Sequence, residues 1–180
     1  LYPPYARWLE KARAQGVRIL YLDPRRTRTS LLCDEQLRPL PGTDGALAIG
    51  AVRHILVARS YDEARARFQI EDFDELAHDA DAFTVEHVAA VTGLASRDIE
   101  AFYRTVSESE RTIVWLGGAL SRYTNGIISL RAIILMQALR DNLIGEGKGM
   151  LTFQSGKPGG DEIFVDRHSG ESHTPKMNFR

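Results

Sequence analysis

Two acidic residues and a group of arginines surround the most strand-like segment of the chain. Residues 17–22 form an apolar run that ends at Asp23, and a second acid, Asp44, lies in a turn at residues 41–45. The turn after Asp23 contains Arg25, Arg26 and Arg28. In open α/β sheets, ligands bind beyond the carboxyl ends of the strands. Acids accept hydrogen bonds from ribose hydroxyls and base edges, and cations and helix N-termini attract phosphates, so the pattern indicates a nucleotide-like cofactor.

The same residues also have a simpler interpretation. Asp23 and the arginines could form a solvated turn with surface ion pairs, which contribute little to stability. Asp44 could be a helix N-cap, although capping and base recognition do not exclude each other, because a carboxylate has several acceptor sites. His54 lies in a mostly apolar helix and is interpreted as a packed residue. Cys33 is interpreted as a small buried hydrophobic residue rather than a metal ligand.

Bulk composition excludes several classes of function. The formal net charge is -1, which argues against a nucleic-acid partner, since phosphate neutralisation needs a basic face. The single cysteine excludes an internal disulfide or a cysteine-rich metal site. The histidines show no metal-ligand spacing, and no apolar run reaches the roughly 18 residues of a membrane span. The sequence therefore offers no catalytic residue, no metal ligand and no direct membrane segment.

The elements that would position the two acids follow from local pattern. Apolar residues recur at helical spacing from Tyr5 to Gly16, and residues 17–22 then read as a strand covered on both faces. A short helix at 30–34 and a short strand at 36–40 follow. Thr43 or Asp44 caps the next helix, which extends from 45 to about 59 and is apolar nearly all round.

The second half of the chain repeats the strand–loop–helix order. Four short helices are predicted at residues 61–68, 73–80, 84–92 and 96–106, with Thr84 and Ser96 as N-caps. A strand at 111–117 leads into a glycine-containing loop and then an apolar helix at 127–140. Residues from 141 onward read as an extended, glycine-rich loop. The order indicates an α/β fold of partial, doubly wound parallel sheets with flanking helices.

Four motifs in series carry a family resemblance. The segments DPRRTRT, PGTDGALAIG, WLGGALSRYTNG and ALRDNLIGEGKG follow one another in this order. Over residues 5–160 they resemble the central part of the molybdopterin oxidoreductases of the dimethyl sulfoxide reductase family. The resemblance implies a fragment of a larger multidomain catalytic subunit that binds bis(molybdopterin guanine dinucleotide) with molybdenum or tungsten. Residues 1–109 would be part of one cofactor-binding α/β domain with a helical layer, residues 110–160 part of the second, and residues 161–180 an irregular tail.

The resemblance also implies roles for individual residues. Asp23 matches the acid that contacts the guanosine, and Gly42 and Asp44 match the turn whose acid faces the guanine edge. The residues expected in the turn beside the nucleotide are Arg25, Thr27 and Arg28. The residues expected near the other cofactor are Gly118, Tyr123, Thr124 and Asn125. A carboxylate can accept hydrogen bonds from guanine N1–H and N2–H together, whereas adenine has no such pair of donors.

Two departures from the family pattern leave open which branch of the family this chain resembles. Residues 140–142 are Arg-Asp-Asn where relatives often have Thr-Gly-Asn, and residues 154–159 replace a common Arg-Gly-Gln-Asn-like loop. The resemblance places the metal-ligating residue and an iron–sulfur cluster of the full protein N-terminal to this chain, which we expect to be a piece of a longer protein. It also implies a small-molecule substrate and an iron–sulfur electron-transfer subunit as partners. Substrate and compartment stay open.

Other classes of function are alternatives to this hypothesis. The chain could be a non-catalytic α/β nucleotide-binding or assembly module, or a flavodoxin-like domain that binds a different nucleotide. An ordinary NAD-binding domain is disfavoured because no Gly-x-Gly-x-x-Gly follows either predicted strand. The glycines at 145–149 do not form a phosphate loop, since position 142 is Asn and position 149 is Gly.

Overall fold

The computed structural model describes residues 3–152, which form seven α-helices and four short strands. The helices are α1 (Pro3–Ala14), α2 (Asp44–Val57), α3 (Glu63–Gln69), α4 (Phe73–Ala80), α5 (Val85–Thr92), α6 (Ser96–Glu108) and α7 (Gly126–Leu139). The strands are β1 (Leu20–Leu22), β2 (Glu35–Leu37), β3 (Ile113–Leu116) and β4 (Gly149–Thr152). Short 3-10 turns lie at Arg28–Leu32 and Leu120–Arg122. The predicted tail and the loop at 154–159 lie outside the described residues.

The strands within this range form two parallel pairs, which confirms the predicted α/β class. Strand β1 pairs with β2, with Leu20 opposite Glu35. Strand β3 pairs with β4, with Ile113 opposite Gly149. The described helices include none with the length and hydropathy needed to cross a bilayer. The assignment of residues 1–109 and 110–160 to different cofactor domains stays a prediction. In the described residues, one hydrophobic core includes buried side chains from both parts.

Several predictions about the strands are wrong. Strand β2, predicted at 36–40, is Glu35–Leu37, and strand β3, predicted at 111–117, is Ile113–Leu116. The first strand begins at Leu20 rather than at residue 17, and all three of its residues are only partly buried, so it is not covered on both faces. The Ile19 backbone N–H donates to the side-chain carboxylate of Asp34 at 2.8 Å and not to a strand partner. Residues 149–152, predicted as loop, form strand β4. The side-chain amide of Gln137 donates to the carbonyls of Gly149 and Thr112 at 3.3 and 3.1 Å. This buried side chain holds the starts of β3 and β4 together, which glycine content alone does not reveal.

Helices α2 and α7 form the centre of the core, as their apolar composition predicts. Val52 and Ile55 of α2 and Ala132 and Leu139 of α7 are buried. The backbones of α2 and α7 approach closely where α2 begins. An added Cβ at Gly45 would lie only 2.8 Å from Ser129 Oγ, so the contact leaves no room for a side chain at Gly45. The starting points of the two helices are therefore fixed relative to each other, and each start carries a loop of the candidate site.

The helical layer covers the opposite face of α2. Helices α5 and α6 both pack on it, and Tyr103 of α6 reaches the α2 backbone at Gly50. The predicted cap of α5 is confirmed, since Thr84 Oγ1 accepts from the His87 N–H at 3.2 Å. The predicted cap of α6 is wrong by one residue. Ala95 is the N-cap and Ser96 already belongs to the helix.

The departure at residues 140–142 has a structural role. The Arg140 guanidinium, at the end of α7, donates to the carbonyl of Ser60 and to that of Ser109 at 3.1 Å. Ser109 is the C-cap of α6, and Ser60 lies just beyond α2. Asp141 takes a left-handed φ of 53° and pairs with Arg65 at 2.7 Å. These contacts join the C-terminal ends of three helices.

Candidate functional site

The turn after β1 is ordered by its own side chains. The Tyr21 hydroxyl donates to Asp23 Oδ2 at 3.0 Å, and the Arg25 backbone N–H donates to Asp23 Oδ1 at 2.8 Å. The Gln36 amide on β2 donates to the Arg25 carbonyl at 2.8 Å. The Tyr21 hydroxyl also lies 3.1 Å from Thr27 Oγ1. The carboxylate of Asp23 thus shapes the turn and still retains acceptor capacity, since each of its oxygens has a further lone pair.

The arginines of this turn are directed to solvent. The Arg25 side chain is 80% exposed, and its Nε lies 3.5 Å from Asp23 Oδ1. Arg26 and Arg28 are exposed, and neither forms an ion pair with another residue in the range 3–152. Exposed guanidinium groups without a fixed partner can bind an anionic group such as a diphosphate.

The second turn spans Leu40–Thr43, and the last two residues predicted in the turn, Asp44 and Gly45, already belong to α2. The Thr43 N–H donates to the Leu40 carbonyl at 3.2 Å, and Gly42 has a φ of +81°. Pro41 in the second position and glycine in the third match a type II turn. The Thr43 hydroxyl donates to the same Leu40 carbonyl at 2.7 Å. Thr43 therefore occupies the N-cap position of α2, but its side chain does not cap a backbone N–H of that helix.

Asp44 is a half-buried carboxylate at the first position of α2. Burial raises its pKa, its own backbone N–H partly offsets this, and the negative charge of Asp23 raises the pKa further. No cationic side chain within residues 3–152 forms an ion pair with Asp44. Two acids are thus close together, and Asp44 has no cation paired to it in this range. Such a carboxylate is suited to accept hydrogen bonds from a donor-rich ligand.

The loop before α7 reaches the second turn. Asn125 Nδ2 donates to the Gly42 carbonyl at 2.8 Å. The Tyr123 ring lies beside the same residue, since an added Cβ at Gly42 would be 3.5 Å from Tyr123 Cδ1. Gly118 accepts from the Ser121 hydroxyl at 3.2 Å, and Thr124 is exposed. Tyr123 and Asn125, assigned to the other cofactor by the motifs, therefore contact the turn that carries Asp44.

Tyr21 and Gln36 are site residues that the motifs do not identify. Tyr21 lies two positions before Asp23, so the two share a face of the extended chain, and this spacing was the available signal. The His54 ring packs 5.7 Å from the Tyr103 ring, and burial lowers the His54 pKa. Cys33 is half-buried, and its Sγ donates to the Thr29 carbonyl at 3.2 Å. The described part of the chain contains no group of metal-ligating side chains.

Comparison with known proteins agrees with the motifs. No family model matches the chain. The assimilatory nitrate reductase catalytic subunit of Bacillus subtilis is 26% identical over 163 residues, which cover 89% of this chain and 23% of that protein. Formate dehydrogenase H of Escherichia coli is 24% identical over 143 residues, which cover 79% of this chain and 20% of that protein. Acetylene hydratase of Syntrophotalea acetylenica is 28% identical over 132 residues, which cover 73% and 18%.

The fold is also shared with a solved structure. Acetylene hydratase from Pelobacter acetylenicus superposes with a TM-score of 0.69 and 25% identity, covering 76% of this chain and 19% of that chain. The chain spans about a fifth of the length of these relatives. In both sequence and fold, this part of the chain is thus similar to molybdopterin oxidoreductases, the family that its four motifs resemble.

Proposed function

We propose that this chain forms part of the cofactor-binding region of a molybdenum or tungsten oxidoreductase and binds the guanosine end of bis(molybdopterin guanine dinucleotide). The observation that carries the proposal is Asp44. Its carboxylate is half-buried, adjoins a second acid, and has no ion-pair partner in the described range. A neutral ligand group with two parallel N–H donors would relieve this arrangement without introducing a cation.

Guanine has the required donors. Its N1–H and N2–H point in the same direction and can both donate to one carboxylate, as an arginine fork does. Adenine lacks this pair, so the contact would discriminate between the two bases. Gly42 precedes the acid by two residues and presents no side chain, and its φ of +81° is a conformation that glycine adopts readily. The glycine therefore permits the turn that places Asp44 at the start of α2.

The turn after β1 would hold the rest of the nucleotide. Asp23 already accepts hydrogen bonds from Tyr21 and from the Arg25 backbone, so its orientation is set before a ligand arrives. Its remaining lone pairs suit a ribose hydroxyl. The exposed guanidinium groups of Arg25 and Arg28 would attract the diphosphate, with Thr27 beside them. This chain would thus supply base, sugar and phosphate contacts from the turn after β1 and the first residue of α2.

The metal centre would supply the redox or oxygen-transfer chemistry when the cofactor is bound. The role of this chain's residues is to bind and orient the dinucleotide, and we assign none of them as a catalytic group or metal ligand. For the full protein we propose a small-molecule substrate and an iron–sulfur electron-transfer subunit.

The test uses the full-length gene product, expressed in a host that makes the cofactor. We expect the purified protein to contain molybdenum or tungsten and to release GMP on acid hydrolysis. Asp44→Asn should lower the GMP content several-fold, while the thermal unfolding of cofactor-free protein changes little. The matched control is Asp98→Asn, because Asp98 is also an acid in the first turn of a helix but lies on α6.

Each outcome separates the hypotheses. Wild-type protein with neither metal nor GMP contradicts the proposal. GMP without metal favours the alternative of a non-catalytic nucleotide-binding module. Unchanged GMP content in Asp44→Asn, together with normal content in the wild type, would leave the family assignment intact and remove Asp44 from the base contact.

A further inference from the structure

Asn125 is at the N-cap of α7 but does not cap it. An N-cap asparagine ordinarily accepts a hydrogen bond from a backbone N–H in the first turn of its own helix. The Asn125 side chain makes no such bond. Its amide instead donates to the Gly42 carbonyl, 83 residues earlier in the chain, at 2.8 Å. The residue therefore gives up a local stabilising contact for a tertiary one.

The bond holds the central part of the type II turn. Gly42 lies between the proline and the N-cap residue Thr43, and the orientation of its peptide unit sets the direction in which the chain enters α2. The Tyr123 ring packs beside the same glycine. The turn is thus contacted by one hydrogen bond and one aromatic ring from the loop before α7, immediately before Asp44.

The position of Asn125 is itself set by rigid elements. Its carbonyl accepts the Ser129 N–H of α7 at 2.9 Å. Gly126 is buried, and an added Cβ there would lie 2.5 Å from the Leu120 carbonyl oxygen. The close approach of Gly45 to Ser129 fixes the start of α7 against the start of α2. Asn125 thereby connects the turn to a packed helix pair and not to a mobile loop.

We propose that Asn125 is a positioning residue for Asp44: its hydrogen bond to Gly42 holds the turn so that the carboxylate selects guanine. This inference rests on the proposed function and deepens it by naming what fixes the base specificity. It predicts that changes at position 125 alter the choice between bases more than they alter binding of the nucleotide as a whole. If the residue had only a structural role, changes at position 125 would weaken binding of nucleotides with either base equally.

The experiment measures binding of GDP and IDP to the full-length protein purified from a host that cannot make the cofactor. IDP lacks only the exocyclic N2 amine, so the ratio of the two affinities reports the contact to Asp44. Asn125→Asp replaces the donor by a charged acceptor, and Asn125→Ala removes it. Asn125→His keeps an N–H donor near the same position. Ser121→Ala is the control in the same loop, since its bond to Gly118 does not reach Gly42.

We expect wild-type protein and Ser121→Ala to prefer GDP. Asn125→Asp and Asn125→Ala should reduce this preference by roughly three- to tenfold, the loss of about one hydrogen bond, and Asn125→His should restore most of it. An unchanged GDP/IDP ratio in both Asn125→Asp and Asn125→Ala would overturn the inference. A wild-type protein with no preference for GDP would instead contradict the proposed guanine contact itself.

Discussion

The carboxyl groups of Asp23 and Asp44 lie near enough for the charge of the first to raise the pKa of the second. They are 21 positions apart in the sequence, one at the end of β1 and the other at the start of α2. Parallel pairing of β1 with β2 returns the chain to the same edge of the sheet, since the Asp23 N–H donates to the Leu37 carbonyl at 3.2 Å. The fold thus brings together two like charges, an arrangement that a ligand can stabilise.

This pair predicts a pH dependence of nucleotide binding. The guanine contact needs the ionised Asp44 carboxylate, and its raised pKa means that protonation begins at a higher pH than for an ordinary aspartate. Affinity for GDP should therefore fall as the pH is lowered from neutral through the acidic range. In Asp44→Asn the dependence should be weaker. Titration of GDP into cofactor-free, full-length protein at several pH values measures this, and identical profiles would contradict it.

The contribution of Asp44 to folding stability should change with pH in the opposite direction to nucleotide affinity. A carboxyl group whose folded-state pKa is raised binds its proton more tightly in the folded state, so its contribution to stability is greatest at low pH and is lost as the pH rises through that pKa. Asp44→Asn should accordingly raise the thermal midpoint of cofactor-free protein slightly at neutral pH and have less effect near pH 4. A lower midpoint at neutral pH would show that Asp44 stabilises the fold.

Gly50 and Tyr103 form a tight contact within the core. An added Cβ at Gly50 would lie 1.9 Å from the Tyr103 hydroxyl oxygen and 2.9 Å from Val88 Cγ2. Gly50→Ala should therefore lower the free energy of unfolding by about 1–3 kcal/mol, as overpacking does. Chemical denaturation monitored by circular dichroism measures the change. An effect below about 0.5 kcal/mol, the range of neutral surface substitutions, would contradict this geometry.

The Tyr103 hydroxyl provides the companion variant. It is buried and has no hydrogen-bond partner among the described residues, and burial raises the pKa of this phenol. Tyr103→Phe should be neutral or slightly stabilising, because it removes an unsatisfied polar atom. It should also recover part of the loss in Gly50→Ala when the two are combined. Strict additivity of the two effects would argue against direct contact.

We expect substitution of Arg140, far from the nucleotide turns, to have a large effect on the free energy of unfolding. Burial lowers the pKa of its guanidinium, yet the group donates to the carbonyls of Ser60 and Ser109 near the negative ends of α2 and α6. Arg140→Met should lower the free energy of unfolding by roughly 1–3 kcal/mol because both carbonyls lose their donor. Arg140→Lys should recover only part of this, since one ammonium does not reproduce the fork.

Arg104 is the matched control for Arg140. It is an exposed arginine on α6, and Arg104→Met should change the free energy of unfolding by less than about 0.5 kcal/mol. Equal effects in the two methionine variants would contradict the assigned role. Equal effects would also argue against our explanation for Arg-Asp-Asn at residues 140–142 in place of Thr-Gly-Asn. We attribute this departure to contacts that join the ends of three helices.

The sequence by itself determined the features that depend on near neighbours. Helices α2 and α7 follow from apolar residues around their whole circumference, and the Thr84 cap from a hydroxyl before a helical run. The turn before α2 follows from the adjacent Pro41 and Gly42, although its bounds, Leu40–Thr43, came from the structure. The four motifs were sufficient for the resemblance to molybdopterin oxidoreductases, because their order along the chain is itself sequence information.

Only the tertiary structure decided which of these parts meet. Strand β4 exists because it pairs with β3, more than thirty residues earlier, and because Gln137 donates to both. The contact between Asn125 and Gly42 likewise depends on the close packing of α2 on α7, which no local spacing encodes. Hydrogen bonds between distant segments form only after loop closure and core packing have placed their donors and acceptors, so local propensity carries no record of them.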